Sequence, residues 1–189
     1  MLRKKSLALP VLHHLYLFLM MLTLAGILSA AAWLQYAGRE IPCPLCLLQR
    51  LAMFGVAYGI IVNFRHGYSA RNDGVSMIFA LLLLIISVRQ TLLDIYPRPG
   101  HEYIGSAIFG IHMPVWSILI ATALLIAFAL KFVVFGNERL ADARRFPALA
   151  SASKWLGFYM VALCVENFVS VIVQCGLGAC HTWGYLLLG

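Results

Sequence analysis

Cys43-Pro44-Leu45-Cys46, followed by Arg50 one helical turn later, is the stretch of this chain best equipped for chemistry. Two thiols at this spacing close a small disulfide ring and reopen it, storing and releasing two electrons. A long apolar run ends near Tyr36, and the next begins at Cys46 itself. The dithiol is therefore expected at a membrane face, on the first turn of a helix, where the helix N-terminus favours thiolate over thiol. Arg50 shares a helix face with Cys46 and adds fixed positive charge. The competing readings are a static disulfide or half of a zinc site, completed by Cys175 with Cys180 or His181. Arg50 beside the pair opposes a bound cation and favours a thiolate, so redox chemistry is preferred. A c-type haem is excluded, because Leu47 stands where attachment requires histidine.

The elements that position this pair must lie in a membrane. Of 189 residues, 62% are hydrophobic and 11% charged, and the mean hydropathy is +0.90. This is an all-α integral membrane composition, not a soluble domain. The net charge of +7 does not indicate nucleic acid, because the basic residues are dispersed between apolar runs. Five cysteines are too few for a disulfide scaffold in a chain of this size, and their odd number leaves a thiol over if the others pair.

The apolar runs predict a single membrane domain over 1–189, with spans at about 15–36, 46–64, 75–95, 114–135 and 155–174. Ser29-Ala30-Ala31 resembles a signal-peptidase site, but the apolar run continues past it to the length of a span. Asn63 to Gly74 reads as a polar loop, and Tyr96-Pro97-Arg98-Pro99-Gly100 ends the third span. The segment 96–113 is mostly apolar in its second half and is expected to fold back as a short interfacial or re-entrant helix. Pro114 and Trp116 open the fourth span, and Gly136 to Lys154 is the most polar stretch.

Orientation follows from the basic residues. With the N-terminus cytoplasmic, the inner segments hold Arg3, Lys4, Lys5, Arg65, Arg71, Lys131, Arg139, Arg144, Arg145 and Lys154. The outer half holds only Arg39, Arg50, Arg89 and Arg98, as the positive-inside rule requires. Both Cys43/Cys46 and Cys175/Cys180 then lie on the non-cytoplasmic side, where disulfides persist.

The run Pro42-Cys43-Pro44-Leu45-Cys46-Leu47-Leu48-Gln49-Arg50 resembles the signature of the DsbB family, quinone-reducing membrane proteins that reoxidise periplasmic DsbA. The likeness covers about spans one to four, and Gly105 to Trp116 also looks like a family segment. It implies a four-helix transmembrane bundle in the bacterial inner membrane, here with a fifth, C-terminal transmembrane helix. It implies a quinone, ubiquinone or menaquinone, bound at the periplasmic end, and a DsbA-like thioredoxin-fold partner. Carried over, Cys43 exchanges with a second cysteine pair, Cys46 faces the quinone ring and Arg50 polarises a quinone oxygen. The chain departs from the family in one respect. The usual second pair sits between spans three and four, yet 96–113 holds no cysteine. If the relay survives, Cys175 and Cys180 carry it; otherwise they form a structural clamp.

Gln49, Arg89 and His112 are further candidates for the quinone pocket. Their bland alternatives are a helix–helix contact, snorkelling to headgroups and an interfacial histidine, respectively. Glu166 and Asn167 lie in the middle of the fifth span, where a carboxylate is expensive, and a packing role ranks ahead of proton delivery. Cys164 reads as inert packing, and His13 and His14 as polar residues at the cytoplasmic edge. Three other readings compete: a vitamin-K-epoxide-reductase-like enzyme, a Cys/His metal-binding membrane protein, and a channel or scaffold subunit indifferent to alanine at Cys43 and Cys46.

Overall fold

The computed structural model describes residues 8–96, 107–135 and 146–176. Within them five helices are long and apolar enough to cross a membrane. They are α1 (Ala8–Tyr36), α2 (Pro44–His66), α3 (Ala70–Ile95), α4 (Met113–Phe135) and α5 (Pro147–Cys175), with a two-stranded hairpin before α4. Their outward faces carry Leu12, Leu19, Leu22, Ile78, Ile85, Val133, Val165 and Phe168, all exposed. Large apolar side chains on the outside of every helix suit a hydrocarbon surround and would be a liability in water. The chain is an all-α, multi-pass membrane protein.

Three layers stack along the bundle. The middle is apolar, built from Leu17, Leu24, Leu28, Met53, Val56, Ile60, Leu83, Ala121, Phe128 and Met160. The end nearest Cys43 buries Gln35, Gln49, Gln90, Ser117, Ser170 and Gln174, and the opposite end buries His13, His14, Asn63, Asp73 and Lys131.

The close pairing of α2 with α3 runs from the apolar middle toward the Asp73 end. Gly55 lies against the Phe79 ring, and a Cβ on Gly59 would stand 2.5 Å from the Asn72 carbonyl oxygen. Glycines four apart thus let the two backbones approach as side chains would not allow. Ser76 Oγ crosses the gap to donate to the Val56 carbonyl at 2.8 Å.

At the opposite end Lys131 and Asp73 form a fully buried ion pair. Asn63 Nδ2 donates to Asp73 Oδ1 at 2.8 Å, and the Lys131 ammonium lies 4.2 Å from the centre of the Tyr68 ring. Burial, and then the charge of Asp73, push the Tyr68 phenol up to about 12, so it stays neutral beneath the ammonium. His13 packs edge-on against Tyr68 and Phe135 with ring centroids 5.0 and 5.1 Å apart.

Several sequence expectations change here. The polar stretch Asn63 to Gly74 is mostly helix, because Ser69 caps α3 by accepting from the Arg71 N–H. Asn63, Asn72 and Asp73 turn inward to pair with one another, while Arg65, His66 and Arg71 stay exposed. His13 and His14 are buried among aromatic rings, since α1 begins by Ala8 and places them inside the bundle. The fifth helix starts at Pro147, a residue suited to a first turn, so Lys154 is helical.

The expected interfacial helix is, over 107–112, a hairpin: β1 (Ala107–Ile108) pairs antiparallel with β2 (Ile111–His112). Phe109 and Gly110 both have positive φ, 53° and 75°, the conformation that two-residue hairpin turns demand and helices forbid. Residues 97–106 of that segment lie outside the described residues.

Candidate functional site

The dithiol is built by the start of α2. Cys43 is the N-cap, in extended conformation, and Pro44 occupies the first helical turn, where its missing N–H costs nothing. Cys43 Sγ accepts the Cys46 backbone N–H at 3.0 Å. The two sulfurs are joined as a disulfide, with Cα atoms 5.1 Å apart. Cys43 is buried and Cys46 half-buried, so the second cysteine is the more open of the two.

Both cysteines face a cavity of about 340 Å³. Its walls are largely apolar: Ile27, Leu28 and Leu34 from α1, Met53 from α2, Met113 and Trp116 from α4, with Phe109 of the hairpin turn. Gln35, Glu40, Gln49, Arg50 and Ser117 supply the polar groups. An apolar chamber with a few placed polar groups is the usual form of a small-molecule site.

Arg50 is held rather than loose. Its Nη1 donates to Gln35 Oε1 at 2.5 Å and its Nη2 to the Ala31 carbonyl at 3.0 Å, which ties α2 to the end of α1. Gln35 in turn donates to Ser170 Oγ of α5 at 2.5 Å. The positive charge is therefore fixed at the cavity wall on the dithiol's side of the bundle.

A second polar chain runs to the sulfurs themselves. Ser117 Oγ donates to Gln49 Oε1 at 3.1 Å, and Gln49 Nε2 donates to Gln90 Oε1 at 2.9 Å. Gln90 Nε2 then donates to Cys43 Sγ at 3.3 Å and to Cys46 Sγ at 3.5 Å. Gln49 thus both lines the cavity and holds α3 and α4 together.

Arg89 and His112 do not line the cavity. Arg89 is exposed on the outward side of α3, because the helical period turns its neighbour Gln90 inward. His112 is exposed on β2, and the hairpin reaches the cavity through Phe109.

Near the C-terminus, Gln174 Nε2 donates to the Pro42 carbonyl at 2.7 Å. This bond docks the end of α5 on the residue before Cys43. Cys175, next in sequence, is buried and disulfide-bonded; Cys180 and His181 lie outside the described residues. Glu166 is half-buried and accepts the Tyr36 hydroxyl at 2.6 Å, a packing contact between α5 and α1. Cys164 is a free, half-buried thiol packed against the apolar core.

The sequence reading assigns no role to Gln35, Gln90 or Gln174, although a signal is present. The chain's four glutamines are Gln35, Gln49, Gln90 and Gln174, each on a different helix and each buried at the dithiol end. Polar amides set near the ends of apolar runs are costly unless they pair, and here they pair around one site.

The comparisons with known proteins fit this geometry. A family model described as Disulfide bond formation protein DsbB matches residues 13–102, which contain Cys43, Cys46, Gln49, Arg50 and Gln90. The chain is 34% identical over 77 residues to Disulfide bond formation protein B of Aromatoleum aromaticum, covering 39% of this chain and 46% of that protein. It is 30% identical over 139 residues to the protein of the same name from Burkholderia ambifaria, covering 55% of this chain and 79% of that protein. The Burkholderia thailandensis protein of that name is 28% identical over 144 residues, with 62% and 83% covered. The match to the relatives from Aromatoleum aromaticum and Nitrosomonas eutropha spans about half their length. No solved structure matches the chain. Shared sequence through the dithiol, and across most of the Burkholderia ambifaria protein, leads to one conclusion: the chain belongs to the DsbB family.

Proposed function

We propose that this protein is a dithiol:quinone oxidoreductase of the bacterial inner membrane, reoxidising a DsbA-like thioredoxin-fold protein with its active site facing the periplasm. The observation that carries this reading is a disulfide-bonded Cys-x-x-Cys opening on an apolar cavity beside a fixed guanidinium. The residues fit a quinone, whether ubiquinone or menaquinone. Leu28, Leu34, Met53 and Trp116 offer an apolar bed for a ring, and Arg50 offers charge and N–H donors at one edge. When bound, a quinone supplies a sink for two electrons and two protons.

The chain's own residues do the rest. A reduced partner gives two electrons to the protein; the Cys43–Cys46 bond breaks, and the partner's disulfide forms. Of the partner's two thiol protons, one stays on the Cys43/Cys46 pair and one is released. Cys43, which follows the Pro42 that Gln174 of α5 contacts, takes the exchange role. Cys46, the more exposed sulfur, faces the cavity. The N-terminus of α2 and Arg50 favour the thiolate that this chemistry needs. The excess of Lys and Arg at the opposite end of the bundle supports a periplasmic dithiol.

Cys175 and Cys180 take the place of the family's missing loop pair. The hydrogen bond from Gln174 to Pro42 supports this role, because it docks the residue next to Cys175 on the residue next to Cys43. Cys175→Ser is expected to slow turnover driven by a reduced thioredoxin-fold protein by about a hundredfold, through loss of an intramolecular exchange step. Turnover driven by dithiothreitol, which reaches the cavity directly, should change little. Equal rates of protein-driven turnover in variant and wild type would make the pair a clamp.

A further inference from the structure

The inference concerns Gln90, and it rests on the redox reading of Cys43 and Cys46. We propose that Gln90 is a catalytic residue whose amide N–H groups stabilise the reduced dithiol, and that Gln49 and Ser117 hold that amide in its donating orientation. Gln90 reaches the sulfurs from α3, a different element from the one that carries them. Its Nε2 lies 3.3 Å from Cys43 Sγ and 3.5 Å from Cys46 Sγ, and the residue is buried. Water therefore competes little for the amide.

The direction of the amide follows from its neighbours. Ser117 Oγ donates to Gln49 Oε1, which leaves Gln49 Nε2 to donate to Gln90 Oε1. Reversing Gln90 alone would set two amide nitrogens against each other and turn its oxygen onto the sulfurs. The relay thus aims N–H at whichever sulfur carries charge. A disulfide sulfur is a weak acceptor and a thiolate a strong one, so the bond strengthens as the pair is reduced. Stabilising the reduced form makes the disulfide the stronger oxidant. When two electrons arrive, the sulfur–sulfur bond breaks, one sulfur keeps a proton, and the other, as thiolate, accepts from Gln90.

Other charges bear on the same sulfurs. Arg50 of α2 adds to the effect, and Glu40, before α2, opposes it from the same cavity. Asp94, one turn beyond Gln90, lies on the same side of α3. None of them replaces a donor in contact with both sulfurs.

The test is the redox equilibrium of the Cys43–Cys46 pair in the purified full-length protein. Samples are equilibrated with reduced and oxidised dithiothreitol, trapped by alkylation and read by mass on the peptide holding both cysteines. Gln90→Met keeps length and volume but has no N–H. It is expected to lower the equilibrium constant for reduction by roughly tenfold, the difference between a charge-assisted and an ordinary hydrogen bond, or about 30 mV for a two-electron couple. Ser117→Ala, which removes one hydroxyl and frees Gln49, should shift the constant the same way by a smaller factor. It serves as the deciding variant if Gln90→Met does not fold. Constants within twofold of wild type, or a shift toward easier reduction, would overturn the proposal. The equilibrium is measured without quinone, so failure of quinone reduction in wild type would leave this result standing on its own.

Discussion

Cys46→Ala is expected to lower quinone reduction by on the order of a thousandfold or more, as removal of a reacting nucleophile does elsewhere. The expectation is specific to geometry. Cys43 is buried at the helix N-cap, sealed by Gln90 and by the Gln174 contact on Pro42. Cys46 is half-buried, lines the cavity and lies on the helix face shared with Arg50. Without Cys46, the Cys43 thiolate can still attack the disulfide of an oxidised thioredoxin-fold protein, forming a mixed disulfide with one partner sulfur and releasing the other as thiolate, but no two-electron donor faces the cavity. The variant should therefore form a mixed-disulfide complex with the oxidised thioredoxin-fold protein, seen as a reductant-sensitive band on gels. Loss of activity without that complex would contradict the assigned division of roles.

The second large effect is on stability and lies at the other end of the molecule. Asp73→Ala leaves the Lys131 ammonium buried without its counterion, and such a loss costs about 3–5 kcal/mol. Asn63 loses its acceptor as well, and the Lys131–Tyr68 stacking cannot replace a carboxylate. Removing both charges together, as Asp73→Leu with Lys131→Met, should restore most of that stability. Replacing a buried pair with apolar side chains is often neutral or better. Unfolding midpoints of the two single variants and the double variant measure the coupling directly. From Gln49 to Asn63 along α2 is about 21 Å at the helical rise, so the refolded double variant should keep the redox behaviour of the dithiol site. Additive destabilisation in the double variant would mean that the ion pair is not the coupled unit described.

How much of this was legible in the sequence varies with the physics involved. The spans were readable because hydropathy over some twenty residues is a strong signal, and Cys43/Cys46 with Arg50 because their spacing on a helix start carries its own chemistry. The ends of helices were less readable. Asn63, Arg71 and Asp73 look like loop residues, and they are helical because Ser69 caps α3 and because Asp73 finds Lys131 some sixty residues away. No local pattern encodes that partnership. The burial of His13 and His14 is hidden for the same reason, since their aromatic neighbours Tyr68, Phe135 and Phe146 come from distant segments.

At the site, Arg89 is a candidate by sequence as a charge near the apolar edge, while its neutral neighbour Gln90 carries no assigned role. Charge marks a residue in a sequence, but the helical period decides which side chain meets the sulfurs. The apolar composition of 107–112 is ambiguous between helix and hairpin. The turn is decided by Phe109 and Gly110 adopting positive φ, which only the folded backbone reveals.

The most direct test of the central claim is a single turnover of the wild-type protein. Protein reduced in advance, freed of reductant and held in nanodiscs, is mixed with a known excess of ubiquinone or menaquinone. Quinone loss is followed by absorbance, and the redox states of Cys43/Cys46 and Cys175/Cys180 by alkylation. The predicted result is one quinone consumed for each disulfide re-formed, counting both pairs. If the dithiol stays reduced in the presence of both quinones while the protein remains folded, the assignment of the cavity to quinone chemistry is wrong.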